Sequence, residues 1–216
     1  MTLWAIVPVK PLKRGKSRLA GVLGEDERAL LNFNMLGATL KTLSNVEEID
    51  QVLVVSRDPS ALALARDYNA KTVQEDGHPS LNLALKRAAL AAKAYNADGI
   101  IILPADLPLV KPNDIEALIK LGKKNPIVVI APDRRKEGTN ALLMRPAGAI
   151  PFIFGPGSFK KHLQAADKAG IETVVCELET FGLDLDLPED LDLLKRTDEV
   201  REKSLFDLKK KSMEEI

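Results

Sequence analysis

The chain has 216 residues, 45% of them hydrophobic and 29% charged, which is enough apolar content for one full core with at most a small appendage. Thirty-one basic and 31 acidic residues cancel to a net charge of zero, so nucleic acid is disfavoured as the main partner and any anion must be held by a local cluster of cations. The lone Cys176 sits in an apolar run, residues 1–10 lack the apolar core of a secretory signal, and no apolar run approaches a bilayer span, so the expectation is a soluble cytoplasmic protein without a membrane partner.

Leu3 to Val9 reads as a buried strand, and Lys10-Pro11-Leu12-Lys13-Arg14-Gly15-Lys16-Ser17-Arg18 follows as a loop with five cations among nine residues. Lys13, Arg14, Lys16 and Arg18 around Gly15 can wrap a triphosphate with side-chain charge and backbone N–H groups, although the spacing is not that of a P-loop. A basic loop that simply faces water is the plain alternative. Leu30, Phe33, Leu36, Leu40 and Leu43 recur every three or four positions and predict a packing helix from Glu25 to Leu43. A strand over Gln51 to Ser56, a helix over Asp58 to Tyr68 and a strand over Ala70 to Val73 continue the alternation, which implies a parallel sheet with right-handed crossovers. Ser80 is placed to cap the next helix, whose face runs from Leu81 to Tyr95. Asn82 in its first turn could read a base edge or a ribose hydroxyl, or could serve as a local cap. His78 is read as a loop residue.

Gly99-Ile100-Ile101-Ile102-Leu103 has no polar alternation, the pattern of a central strand buried on both faces. Asp106 follows Pro104 and so emerges at the carboxyl end of that strand, where open α/β sheets hold ligands and where a carboxylate suits magnesium. A turn or capping aspartate is the competing reading. Pro112 opens a helix that stops at Gly122, Ile127 to Ala131 is a fifth strand, and a charged loop over Pro132 to Asn140 leads to another strand over Ala141 to Met144. In Phe154-Gly155-Pro156-Gly157-Ser158-Phe159, Ser158 is expected as the N-cap of a helix reaching Ala169, and the glycines permit close approach of an anion. A last strand is expected over Ile171 to Leu178. Asp184 and Asp186 then have strand spacing, so their carboxylates share a side and repel unless a cation lies between them. Pro188 opens a final helix, and the charged residues 198–216 are expected to form a peripheral helix or tail beyond a domain of residues 1–197.

The basic loop with Lys16-Ser17-Arg18-Leu19, the central Pro104-Ala105-Asp106-Leu107-Pro108 and the late Asp184-Leu185-Asp186-Leu187-Pro188 together resemble the nucleotide-diphospho-sugar transferase superfamily. Within it the chain is most similar to the 2-phospho-L-lactate or phosphoenolpyruvate guanylyltransferase family of deazaflavin coenzyme (F-420) biosynthesis. The segments from Glu137 to Ala141 and Phe154 to Phe159 extend that resemblance, which covers about residues 3–195. It implies a three-layer α/β/α Rossmann-like fold with a mostly parallel sheet, and transfer of GMP from GTP to a small phosphorylated three-carbon acid by a cytoplasmic homodimer. It also implies magnesium on Asp106, Asp184 and Asp186, and triphosphate contacts from Lys13, Lys16 and Arg18. Asn82 would lie on the nucleotide, and Thr139, Gly155 and Ser158 on the acceptor. Such transfer needs positioning and charge neutralisation rather than a Ser, Cys or His nucleophile. Two alternatives share parts of this pattern. One is a molybdenum-cofactor guanylyltransferase or a sugar-phosphate cytidylyltransferase of the same fold, and the other is a non-catalytic nucleotide-binding regulatory domain.

Overall fold

Strand β1 (Leu3–Val9) enters the sheet with its first five residues buried, because its side chains alternate between two separate cores. Leu3, Ala5 and Val7 pack on one face and Trp4 and Ile6 on the other. The same division runs through β2 (Gln51–Ser56), β4 (Gly99–Ile102), β5 (Ile127–Pro132) and β6 (Thr139–Arg145), so that Ile101, Val129 and Leu143 face one core while Ile100, Val128 and Met144 face the other. The computed structural model describes residues 2–77 and 79–197, and of residues 195–197 only the main chain. The expectations for His78 and for residues 198–216 lie outside the described residues.

One face of the sheet is covered by α1 (Glu25–Leu43), α2 (Pro59–Asp67) and α4 (Pro112–Leu121), through Leu36, Leu40, Ala61, Leu62, Ile115 and Leu118. The other is covered by α3 (Leu81–Ala94) and α5 (Ser158–Lys168), through Ala84, Leu85, Ala88 and Ala166. With β3 (Lys71–Gln74) and β7 (Thr173–Val175), the strand order is β3-β2-β1-β4-β6-β5-β7. This is the expected three-layer α/β/α arrangement. Every described pairing is parallel except those of β6, which runs antiparallel to both β4 and β5. The reversal places the amino end of β6 beside the carboxyl ends of β1, β4 and β5, so residues at a strand's start and at strands' ends open onto one edge.

Three local expectations change. The strand expected over Ile171 to Leu178 pairs with β5 only over Thr173–Val175, and after Cys176 N–H donates to Ile130 O at 2.8 Å the chain leaves the sheet for the short α6 (Glu179–Gly182). Gly157, in the left-handed region at φ 70°, precedes α5 and Ser158 is its first residue, because a tight Gly-Pro-Gly turn delivers the chain with a backbone that glycine tolerates. Asp184 and Asp186 lie in no strand: Asp190 Oδ2, just inside α7 (Pro188–Thr197), accepts the N–H groups of Asp186 at 3.0 Å and Leu187 at 2.6 Å and bends the segment into a turn. Among the described residues no helix is long and apolar enough to cross a membrane.

Candidate active site

A cavity of about 530 Å³ opens at the edge where β1, β4 and β5 end and β6 begins. Its floor is the turn after β4, and Asp106 sits there with 34% of its side chain exposed. The main chain fixes what stands opposite. Leu185 N–H donates to Asp106 O at 3.0 Å, and Leu185 is buried with Leu19, Leu31, Met35, Leu191 and Leu194 in a small third core. That core joins the basic loop, α1, the 183–187 segment and α7, so the cationic and acidic walls are held by one apolar knot. With Leu183 and Leu185 buried, Asp184 and Asp186 turn outward to the cavity.

Lys16 links the walls. It adopts φ 56° and ψ 36°, a left-handed conformation that costs a non-glycine residue on the order of 1 kcal/mol and that accompanies an inward side chain only 6% exposed. Its ammonium donates to Asp106 Oδ2 at 3.2 Å and to Asp186 Oδ1 at 3.0 Å. Burial alone would lower the pKa of the amine, but Asp106 and Asp186 outweigh it and hold it above the usual lysine value. Burial likewise works against the Asp186 carboxylate, and Lys16 with Lys10 and Arg18 brings its pKa below normal all the same. Asp184 differs. Burial raises its pKa, and the charges of Asp106, Asp186 and Asp190 raise it further. Of Asp106, Asp184 and Asp186 it is the one with no cation beside it among the described residues, and the charges around it invite one. Among the described residues no three such side chains stand close enough together to hold a metal ion unaided.

The remaining expected residues divide into those that line the cavity and those that do not. Arg18 lines it, mostly exposed and 4.0 Å from Asp186. Lys13 is exposed on a short 3-10 turn (Leu12–Arg14) outside the lining. Asn82 is also outside the lining, and its carboxamide is already engaged at both ends: Phe154 N–H donates to Oδ1 at 2.8 Å, and Nδ2 donates to Phe154 O at 3.1 Å. It tethers the 152–157 loop to α3 rather than presenting an amide to a base. Thr139, Gly155 and Ser158 line the same cavity as Lys16 and Arg18, around the starts of β6 and α5. Gly15 cannot gain a side chain without a clash, because a Cβ there would stand 2.5 Å from Asn32 Nδ2, which donates to Leu12 O at 2.7 Å.

Several residues went unassigned in the sequence. Arg134 reaches the cavity from the β5–β6 hairpin and pairs with the buried Asp190 at 2.7 Å. Asp133 accepts the N–H groups of Glu137 and Gly138 at 2.9 Å each and closes that hairpin. His162, wholly buried in α5, meets Thr139 Oγ1 at 2.9 Å. The Asp-to-Gly spacing of the hairpin and the four-residue spacing of Ser158 and His162 on one helix face were the available signals.

Comparison with known proteins shows the family and the fold. The family model described as "Guanylyl transferase CofC like" matches residues 3–205. A phosphoenolpyruvate guanylyltransferase of Rubrobacter xylanophilus is 46% identical over 191 residues, covering 88% of this chain and 92% of that protein. A 2-phospho-L-lactate guanylyltransferase of Methanocaldococcus vulcanius is 36% identical over 187 residues, covering 86% of this chain and 81% of that one. Among solved structures, a putative nucleotide-diphospho-sugar transferase from Desulfovibrio desulfuricans superposes with a TM-score of 0.76 at 18% identity over 96% of this chain and 94% of its own, which is likeness of fold. A sheet that gathers basic loop, acidic turn and Gly-rich helix start at one edge, and relatives that match it over nearly its whole length, together make this chain a member of the guanylyl transferase CofC-like family.

Proposed function

We propose that the chain transfers GMP from GTP to a small phosphorylated three-carbon acid, phosphoenolpyruvate or 2-phospho-L-lactate, in the cytoplasm. A phosphate oxygen of the acceptor forms a bond to the α-phosphorus of GTP, the bond from that phosphorus to the bridging oxygen of the β-phosphate breaks, and pyrophosphate carries the electron pair away. The observation that carries the reading is one cavity lined both by the cations Lys16 and Arg18 and by Thr139, Gly155 and Ser158, with Asp106 in the same lining; the first set would take the triphosphate and the second the acceptor. Each substrate brings its own charge and the acceptor is already an anionic nucleophile, so alignment and charge neutralisation carry the rate.

The charge around the cavity supports a divalent cation. Five basic side chains (Lys10, Lys16, Arg18, Arg134, Arg135) face six acidic ones (Asp106, Asp133, Glu137, Asp184, Asp186, Asp190), so there is no positive surplus to receive a triphosphate. Oxygen donors of the Asp106 and Asp184 kind suit magnesium, which is commonly held by one or two carboxylates together with substrate phosphates. Asp186 is the third candidate ligand, already shared with Lys16. When bound, magnesium would screen the phosphate oxygens and polarise the α-phosphorus. Lys16 and Arg18 bind the triphosphate and the departing pyrophosphate, while Thr139, Ser158 and the backbone at Gly155 orient the acceptor. The proposed homodimer is checked by molecular mass in solution.

The test is purified protein with magnesium and each nucleoside triphosphate in turn, offered a panel of phosphorylated acids, with the products weighed by mass spectrometry. A guanosine diphosphate-linked three-carbon acid formed with equimolar pyrophosphate is expected. A product from CTP, or from a pterin or sugar phosphate only, refutes the proposal, as does nucleotide binding without turnover.

A further inference from the structure

We propose that His162 is a positioning residue that fixes the hydroxyl of Thr139 as a hydrogen-bond donor aimed at the acceptor's anionic group. The proposal rests on the acceptor site being where the preceding section puts it. His162 lies wholly buried on α5 and touches the cavity nowhere. Its two ring nitrogens have different partners. Ile153 N–H donates to Nε2 at 3.0 Å, and Thr139 Oγ1 stands 2.9 Å from Nδ1.

A backbone N–H has a hydrogen to give and no lone pair to receive one, so Nε2 must be the bare nitrogen of the ring and, in the neutral imidazole, Nδ1 must carry the hydrogen. Burial also keeps the ring neutral, with its pKa lowered to about 4. Nδ1–H therefore donates to Thr139 Oγ1, and the hydroxyl hydrogen of Thr139 is left for a third group. Thr139 lines the cavity at the start of β6, so that hydrogen is offered to whatever occupies the acceptor wall. A hydroxyl free to rotate can accept or donate; one whose lone pair is already taken by a histidine is biased to donate. The ligand atom opposite it is then a pure acceptor, a carboxylate or phosphate oxygen, and a ligand presenting an alcohol or amide hydrogen there is disfavoured because two donors would meet. Phe154 packs edge-on against the imidazole with centroids 5.0 Å apart.

Steady-state kinetics on four variants, with KM for acceptor and for GTP measured separately, test this. Thr139→Val is expected to raise acceptor KM about tenfold or more while GTP KM moves less than about twofold. His162→Gln keeps an oxygen for Ile153 but has no hydrogen at the Thr139 side; it should raise acceptor KM by a similar factor. His162→Asn keeps an amide hydrogen near Thr139 and loses Ile153, and should recover at least about fivefold of the loss. In the Thr139→Val background His162→Gln should add nothing, because its effect passes through the missing hydroxyl. Multiplicative losses, or equal losses for Gln and Asn, mean that His162 only holds the 152–157 loop and overturn the inference while the acceptor site stands. An unchanged acceptor KM in Thr139→Val overturns the acceptor site itself and the inference with it. Ring-nitrogen NMR shifts give a readout independent of activity: the chain has two histidines, and a hydrogen found on Nε2 of His162 overturns the proposal.

Discussion

Lys16 shows how single side chains set the behaviour of this site. Its ammonium, 6% exposed between Asp106 and Asp186, stands where an acidic cluster would otherwise hold a cation. Asp106→Asn is expected to lower turnover at least about a hundredfold, some 2.7 kcal/mol, if that carboxylate acts in the transition state. Without magnesium the same change should also destabilise the fold by about 1 kcal/mol. It removes one of the two carboxylates that neutralise a buried lysine, and the part-exposure of Asp106 keeps the loss small. Nothing in the sequence announces that Lys16 sits 3.2 Å from a residue ninety positions away. Thermal unfolding in chelator, beside pyrophosphate release with magnesium, measures both effects. Lys16→Ala should raise GTP KM about tenfold and leave acceptor KM within twofold, if Lys16 serves the donor and Thr139 the acceptor as proposed; equal shifts in both would mean that the two sets of residues do not divide the substrates. His162 supplies a pH test. Its pKa is lowered to about 4 in the fold from about 6.5 unfolded, so the unfolded chain binds the extra proton first. Stability should fall as pH drops from about 6.5 to 4, on the order of 3 kcal/mol for this residue. Denaturant midpoints across that range should be flatter for His162→Gln.

At the scale of elements, the most informative piece is the turn from Leu183 to Leu187. Asp190 holds it by accepting two backbone N–H groups and pairing with Arg134, and so positions Asp184 and Asp186. Asp190→Ala is expected to cost about 2 kcal/mol of stability, as a buried acid with three partners, and to lower kcat more than it raises GTP KM. A loss in stability with kcat intact would show that the turn holds its shape without its cap. The strands of the sheet were legible in the sequence because residues such as Ile100 to Leu103 are buried on both faces and need no alternation. The direction of β6 was not, since a two-residue period is the same for a strand run either way. The clue lay in the connector: six residues between Pro132 and Thr139 fit a hairpin and cannot hold a crossover helix. Asp106 was legible as the charged residue between Pro104 and Pro108 at the end of a buried strand, whereas the strand spacing read for Asp184 and Asp186 missed the turn that Asp190 imposes. Asn82 misled, because an amide in a first helical turn looks the same whether it faces a ligand or, as here, both ends of Phe154's backbone.

The molecule as a whole answers to charge. The mixed lining of the cavity predicts that magnesium alone shifts the thermal midpoint little and GTP alone only modestly, whereas the two together stabilise strongly, by about 2.7 kcal/mol at a hundredfold excess over Kd. Differential scanning fluorimetry over the four combinations checks this, and a large shift with magnesium alone would mean a metal site complete without nucleotide. The reversed strand has a further outcome. Because β6 brings its beginning, not its end, to the working edge, Thr139, Gly155 and Ser158 reach the cavity from residues 132–162, while Lys10, Lys16 and Arg18 reach it from the loop after β1. Under the proposed function the two halves of the reaction are separately heritable: changes confined to residues 132–162 are expected to retune which acid is accepted with little effect on the handling of GTP, so a protein of this build could change its acceptor while keeping its donor.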